Sequence, residues 1–111
     1  MALPSGPTGR RDRAPQTAPP PVGIIATPTA TGVDVVWGAP TGPYTDTIDR
    51  YGVVVFDVDT PGAYLQTVGI KGLSAHIDGL VPGHRYTVAV TTWNAAGGGM
   101  PGVAAMVTVG A

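Results

Sequence analysis

Period-two alternation of β-branched and aromatic residues is the feature that most constrains what this chain can fold into. It is clearest at residues 33–37, 51–55 and 86–90, and stretches rich in glycine and proline separate these runs. No window carries an apolar stripe at the helical period, so we expect almost no helix. The pattern predicts an all-β antiparallel sandwich or barrel. The predicted strands are 22–29, 32–38, 48–57, 63–70, 73–79, 84–94 and 102–109.

Composition divides the chain near residue 21. Of the 111 residues 12 are proline, and six of these prolines fall within residues 1–21. Apart from Leu3 this stretch has no large aliphatic side chain after the first methionine, so it buries too little apolar surface to offset its ordering entropy. We therefore predict an extended Pro/Arg-rich arm or linker at 1–21 and one domain at 22–111. The basic residues of the arm are Arg10, Arg11 and Arg13.

Charge and cysteine content exclude several classes of protein. The chain has no cysteine, so its stability must come from an apolar core rather than from disulfides. No apolar run approaches the length of a membrane-spanning helix. A formal net charge of −1 argues against a dedicated nucleic-acid-binding protein.

Three segments resemble a fibronectin type III domain: GVDVVWGAP (32–40), IDRYGVVVF (48–56) and GLVPGHRYTVAVTTWNAAGGG (79–99). In that family a leucine, a Pro-Gly turn and a tyrosine lead into the sixth strand, which ends in an asparagine before a glycine-bearing loop. The resemblance covers about residues 22–110. The residues that occupy those places here are Leu80, Pro82, Gly83, Tyr86 and Asn94.

The resemblance implies a seven-stranded antiparallel immunoglobulin-like β-sandwich, with Tyr86 forming the tyrosine-corner hydrogen bond. The integrin-binding Arg-Gly-Asp tripeptide of some family members is absent, so we expect no adhesion function of that type. Taken with the alternation, the resemblance predicts which side chains form the core. These are Val33, Val35, Trp37, Tyr51, Val53, Val55, Leu80, Tyr86, Val88 and Val90.

The inventory of reactive side chains predicts a protein that is not an enzyme. There is neither cysteine nor glutamate, and His76 and His84 are not at a metal-ligand spacing. Asp57 and Asp59 resemble the start of a calcium loop, but the remaining ligands are missing, so a turn capped by these aspartates is favoured. The glycines at 97–99 are interpreted as a flexible hairpin loop. We expect no catalytic residue, no metal and no cofactor.

Residues that alternate with the core positions predict an exposed apolar strip on the four-stranded sheet. The alternation places Val54 and Phe56 on the third strand, and Ala89 and Trp93 on the sixth, facing outward. The resemblance implies that these two strands are neighbours in the four-stranded sheet, so the four residues would share the strip, with Tyr64 on the flanking strand as an addition. The strip contains no lysine, glutamate or serine, and exposed aromatics of this kind are typical anchors of protein interfaces. Two alternatives stay open: the arm or a loop covers the strip, or the face assignment is inverted.

The loops at one end of the sandwich are a second candidate surface. In this fold the loops 40–46 and 94–101 lie together, and they offer Tyr44, Asn94 and Met100 for binding. The glycines in the second loop make it costly to order, so tight binding through that loop alone is not expected.

These features favour a non-enzymatic structural or protein-binding module that docks through its arm and the exposed strip. The chain begins with methionine, lacks a signal peptide and has a composition typical of a GC-rich genome. The leading hypothesis is a small bacteriophage virion protein that decorates capsid or tail, contacts neighbouring subunits, and binds neither nucleic acid nor membrane. Homo-oligomerisation stays open.

The alternative hypothesis is an accessory domain of a bacterial extracellular or cell-surface protein. Such a domain would bind cell-surface polysaccharide or act as a spacer. Its candidate aromatic platform consists of Tyr44, Tyr64 and Trp93.

Overall fold

The computed structural model describes residues 16–110, which form two antiparallel β-sheets in a sandwich. One sheet has the strand order β1-β2-β5; the other has the order β4-β3-β6-β7, with β8 and β9 also paired to β6. The predicted all-β sandwich is confirmed. The strands are β1 (Val22–Pro28), β2 (Val33–Gly38), β3 (Arg50–Asp57), β4 (Tyr64–Ile70), β5 (Ser74–Ile77), β6 (Arg85–Asn94), β7 (Gly97–Gly98), β8 (Gly102–Val103) and β9 (Val107–Thr108).

Helical structure within residues 16–110 is limited to one 3₁₀ turn at Thr45–Thr47. In the same part of the chain no helix has the length and apolar character needed to span a membrane.

The last predicted strand, 102–109, differs from the other six, which lie close to their predicted bounds as β1 to β6. It is divided into β8 and β9. Val103 pairs with Ala89, and Val107 pairs with Tyr86. An advance of four residues along the last strand therefore lies opposite an advance of three residues along β6. The extra residue is a β-bulge, which interrupts the ladder. Pro101 has no N–H to donate and separates β8 from β7.

The core lies between the two sheets and contains all ten residues expected there, none more than 6% exposed. The Trp37 and Tyr51 rings lie 5.5 Å apart within it. Each fully buried valine contributes about 1.5–3 kcal/mol, which is how a chain without disulfides stabilises this fold. Ile77, Ala104 and Val109 belong to the same cluster and were not predicted.

Two Pro-Gly turns have the geometry expected of type II turns. Gly62 has φ of 89° and the Ala63 N–H donates to the Thr60 carbonyl at 3.0 Å. At the second turn Gly83 also has φ of 89° and the His84 N–H donates to the Val81 carbonyl at 3.1 Å. A side chain at the third turn position would be strained by the positive φ, and glycine avoids this strain.

The Tyr86 hydroxyl accepts a hydrogen bond from the Val81 N–H at 2.8 Å. The Tyr86 ring is 3% exposed, so this bond joins the connection before β6 to the core. It is the tyrosine-corner bond that the family resemblance implies.

Residues 16–21, which composition assigns to the arm, pack against the sandwich. The Asn94 side-chain amide donates to the Gln16 carbonyl at 2.7 Å, and the Thr92 hydroxyl donates to the Pro19 carbonyl at 3.0 Å. Ala18 is 3% exposed, and the lack of a side chain at Gly99 lets the Ala18 carbonyl approach. The folded domain therefore begins before residue 22. Composition does not reveal this because the bonds are made by backbone carbonyls, which every residue has.

Candidate functional site

The outer face of the sheet formed by β4, β3 and β6 carries the predicted apolar strip. Val53 and Val55 are buried in the core, so the residues of β3 that alternate with them point outward. Val54 is half-buried and Phe56 is exposed. The face assignment made from the alternation is therefore the one that the structure shows.

Phe56 and Tyr64 form the exposed aromatic centre of this face. They lie directly opposite each other on β3 and β4, with ring centroids 6.1 Å apart and an interplanar angle of 41°. Phe56 is 46% exposed and Tyr64 is 59% exposed. Two large rings that contact each other and remain half in water are typical of a surface that another molecule covers.

The middle of the strip differs from the prediction at Ala89, which is 8% exposed. Ala89 lies between Val54 of β3 and Val103 of β8, and these larger neighbours cover its short side chain. Val103 and Val68 are 60% and 43% exposed and extend the apolar face on either side. Sequence reasoning missed both valines, because only the strand register shows that they lie beside the strip.

Trp93 lies at the opposite end of the face from Phe56. Phe56 pairs with Thr87, six residues before Trp93 along β6, so about 20 Å separate the two rings at about 3.3 Å per residue. The Arg50 guanidinium lies over the indole, 5.2 Å from its centroid, in a cation–π contact. Trp93 is therefore partly covered and does not share the exposed centre with Phe56.

The glycines at 97–99, expected to form a flexible loop, instead pack against the ends of the sheet. Gly97–Gly98 is β7, and Gly98 pairs with Trp93. A Cβ added to Gly98 would come within 3.0 Å of the Trp93 ring. Gly98 and Gly99 are required for close approach, and Gly97 for its positive φ of 114°. The sequence pattern does not distinguish these requirements from flexibility.

The asparagine assigned to the binding loops has a structural role instead. Asn94 is 5% exposed. Its side-chain amide donates to the Gln16 carbonyl at 2.7 Å and to the Thr47 hydroxyl at 3.0 Å, and its side-chain oxygen accepts the Ala96 N–H at 2.9 Å. The side chain therefore joins three segments and is not presented for binding.

Tyr44 and Met100 are brought together as predicted, at the end of the sandwich where the first described residues pack. They line an open cleft of about 360 Å³ together with residues 16–20, Thr41 and Pro43. Met100 is 73% exposed. The predicted arm residues Arg10, Arg11 and Arg13 lie outside the described residues.

Asp59 forms an ion pair with Arg85 at the start of β6, and Asp57 forms a hydrogen bond with His84, the residue before it. Asp59 accepts hydrogen bonds at 2.7 Å from both the backbone N–H and the Nη2 of Arg85, and these bonds lower the pKa of Asp59 to about 2. Burial favours the neutral form of Asp57, but its hydrogen bond with His84 and those from backbone N–H groups outweigh this and lower its pKa.

Asp57 caps the turn as the sequence favoured, because its Oδ1 accepts the N–H groups of Asp59 and Thr60. Asp59 differs from that prediction, since its carboxylate binds Arg85 instead of the turn. In the described part of the chain no group of three or more histidine or aspartate side chains is arranged to hold a metal ion.

Solved structures with the same fold include single and tandem domains. The FN5 domain of Drosophila Lar matches with a TM-score of 0.69 and 21% identity, over 85% of this chain and 99% of that chain. Domains A168–A170 from titin match with a TM-score of 0.74 and 17% identity, over 85% of this chain and 32% of that chain. The chicken CNTN1 FN1–FN3 domains match with a TM-score of 0.70 and 19% identity, over 83% and 32%.

The sequence itself matches the family model for the fibronectin type III domain over residues 17–108. No curated protein gives a significant match. The matched range includes residues 17–21, in agreement with their packing on the sandwich. Fibronectin type III domains are generally non-enzymatic modules that bind other proteins or act as spacers. Because the family match and the fold agree over nearly all of the described residues, the chain belongs to the fibronectin type III family.

Proposed function

We propose that this chain is a protein-binding module that docks another protein on the outer face of β4, β3 and β6. The observation that carries the proposal is the contact between Phe56 and Tyr64, both about half exposed. Arg50 and Arg85 lie near the two ends of β3 and β6, and the outward residues between them are uncharged. An apolar centre with charge at its rim is the usual anatomy of a protein interface.

The shape of this face favours a protein over a small molecule. The aromatic pair lies on an open sheet surface, whereas small-molecule sites are concave and enclose most of their ligand. A large aromatic side chain buries about 150–250 Å², so the exposed halves of Phe56 and Tyr64 present about 200 Å² together. Covering that area contributes about 5 kcal/mol in gross terms.

Photo-crosslinking tests the face directly. A photoreactive residue in place of Tyr64 should give species cross-linked to a different protein in an extract of the source organism, and Phe56→Asp in the same chain should abolish these species. Val36→Asp is the matched control, because Val36 is also 46% exposed but lies on the other sheet. Equal cross-linking in the Phe56 and Val36 variants would contradict the proposal, and so would unfolding caused by Phe56→Asp.

The setting that we propose for this docking is a large assembly, specifically the capsid or tail of a bacteriophage, where the domain would decorate neighbouring subunits. What supports this setting is the Pro/Arg-rich composition of residues 1–21 together with the apolar face. Purified particles from the source should contain the chain in a fixed ratio to their major protein. Recovery of the chain only from cell-surface fractions would contradict the virion setting and leave the docking face to be tested separately.

A second candidate function is that of a spacer or polysaccharide-binding accessory domain at a bacterial surface. It is favoured by the tandem arrangement in the titin and CNTN1 structures, where the match to this chain covers 32% of each chain. The predicted platform of Tyr44, Tyr64 and Trp93 is not assembled, because Tyr64 and Trp93 lie at opposite ends of the outer face. The cleft beside Tyr44 is therefore the candidate sugar site. Glycan binding that is lost in Tyr44→Ala and kept in Phe56→Asp would favour this alternative.

A further inference from the structure

Strand β4 has a free edge whose central residues lack the usual protection, although a β-bulge at Gly69 interrupts its pairing with β3 near the end of the strand. Among the described residues it pairs only with β3, and its seven residues, YLQTVGI, include neither a charge nor a proline. Exposed edges are normally blunted by charges, proline, bulges or shortness. The other sheet shows such features: β1 contains Pro28 and a register break between Val22 and Ile25, and β5 is only four residues long.

The register with β3 shows which backbone groups of β4 are free. The Asp57 N–H donates to the Ala63 carbonyl at 3.0 Å, while the Ala63 N–H donates to the Thr60 carbonyl, so Asp57 and Ala63 share one bond and occupy the position of a hydrogen-bonded pair at the end of the ladder. Such pairs alternate along an antiparallel ladder, so Leu65 and Thr67 also direct their N–H and C=O groups at β3. The residues whose N–H and C=O groups point to the free edge are Tyr64, Gln66 and Val68.

We propose that β4 pairs antiparallel with β4 of a second copy of this chain, about a two-fold axis at Gln66, and so forms a homodimer with a continuous sheet. Gln66 then lies opposite Gln66 of the second copy, and Tyr64 lies opposite Val68. All three positions have free backbone groups, so about six hydrogen bonds join the two strands. A register between the two strands that is shifted by two residues would leave the backbone groups of either Tyr64 or Val68 without hydrogen-bond partners on the second copy.

The side chains in this register are compatible with one another. Tyr64 and Val68 are 59% and 43% exposed and lie on the same face as Gln66, so two Tyr–Val pairs flank one Gln–Gln pair. Aromatic and β-branched residues opposite each other stabilise a sheet. On the other face Leu65, 45% exposed, lies opposite Thr67. No like charges meet anywhere along the strand.

Charges at the two ends of β4 favour the antiparallel direction. Asp59 precedes the strand and Lys71 follows it. Asp59 is already paired with Arg85, but with Asp57 the turn keeps one more aspartate than arginine. Antiparallel pairing therefore brings Lys71 of one copy toward a turn of opposite charge in the other, whereas parallel pairing would bring like charges together. This charge complementarity and the symmetry about Gln66 identify a second copy as the partner at the edge. The outer face stays open, so the dimer goes beyond the docking proposed above.

Charge variants at the two-fold axis test the dimer, because a residue there meets itself. Sedimentation equilibrium of the full wild-type chain at a concentration of roughly 1 mM should detect dimer. At that concentration even a complex with a Kd of about 1 mM is substantially assembled. Gln66→Lys and Gln66→Glu should each weaken association by about fivefold or more. An equimolar mixture of the two should restore it. Ser74→Lys on β5 is the control and should behave as the wild type.

A single introduced cysteine gives a second measurement that does not depend on those variants. Hydrogen-bonded antiparallel neighbours have Cα atoms about 5.5 Å apart, which suits a disulfide. Since the chain has no cysteine, Gln66→Cys should cross-link under mild oxidation, while Ser74→Cys should do so far more slowly.

The two proposals fail in different ways. Phe56→Asp should leave dimerisation unchanged while removing cross-linking to another protein. The β4 dimer would be overturned if the wild type were monomeric at roughly 1 mM. It would also be overturned if Gln66→Lys left the dimer unaffected, or if mixing the folded Gln66→Lys and Gln66→Glu variants did not restore association. If circular dichroism shows that Gln66→Lys does not fold, the cysteine variants provide the test. Equal rates of disulfide cross-linking in Gln66→Cys and Ser74→Cys would then overturn the β4 dimer.

Discussion

The Trp93 indole lies over Gly52 so closely that a Cβ on Gly52 would come within 2.8 Å of Trp93 Nε1. Gly52 is on β3 and Trp93 is near the end of β6, and Arg50 covers the same ring with its guanidinium. The glycine thus lets a large ring lie flat on the outer face of the sheet instead of projecting into water.

Gly52→Ala should destabilise the domain by about 1–3 kcal/mol, because the added methyl group displaces the indole. Urea unfolding gives the stability, and a red shift of tryptophan emission reports the displacement. Gly72→Ala is the control: nothing lies within 4 Å of its added Cβ, so its stability should be unchanged or slightly raised. Equal effects at the two positions would show that the Trp93 contact does not matter.

Tyr86→Phe should lower the free energy of unfolding by about 1–3 kcal/mol, since it leaves the Val81 N–H without its acceptor. The ring and its burial are retained, so the loss measures the hydroxyl alone. Tyr64→Phe, at an exposed ring, should stay within about 0.5 kcal/mol of the wild type. Thermal unfolding compares the two, and a Tyr86 variant as stable as the Tyr64 variant would contradict the proposed role of the bond.

Removal of residues 1–15 should leave the stability of the domain unchanged, whereas removal of 1–21 should lower it by about 1–3 kcal/mol. The longer deletion removes the carbonyls that accept from Thr92 and Asn94 and exposes the site of Ala18. Denaturant unfolding of the two shortened chains measures the difference. Equal stability would show that residues 16–21 contribute nothing to the fold.

Stability should fall with acid through the pKa of Asp59, which Arg85 lowers from 3.8 to about 2. Because the folded-state pKa is the lower one, this contribution is present above about pH 4 and is lost as the pH falls toward 2. Asp57 and Asp78 have lowered pKa values too and act in the same direction. In Asp59→Asn the midpoint of urea unfolding should fall less steeply with decreasing pH in this range. The control is Asp46→Asn, on the exposed Thr45–Thr47 turn.

Local patterns predicted more of the fold than of the surface. The alternation at 33–37, 51–55 and 86–90 identified buried positions such as Val53 correctly because the side chains of a strand alternate whatever its neighbours are. Trp93 and Phe56 were grouped on one face correctly for the same reason. The distance between Phe56 and Trp93 depends on the register between β3 and β6, and so does the contact of Arg50 with Trp93. Alternation within one strand does not specify that register.

The sequence by itself determined the all-β architecture, the ten core positions predicted from it and the Pro-Gly turns, because these depend on side-chain type and on short-range backbone geometry. The sandwich rather than a barrel followed from the family resemblance. The tertiary structure alone decided that Asn94 binds the Gln16 carbonyl 78 positions away, that Gly98 is kept small by Trp93, and that β4 is left with a free edge. Each of these is set by which strands lie side by side and in what register. That choice is made by contacts between distant parts of the chain, and no local pattern records it.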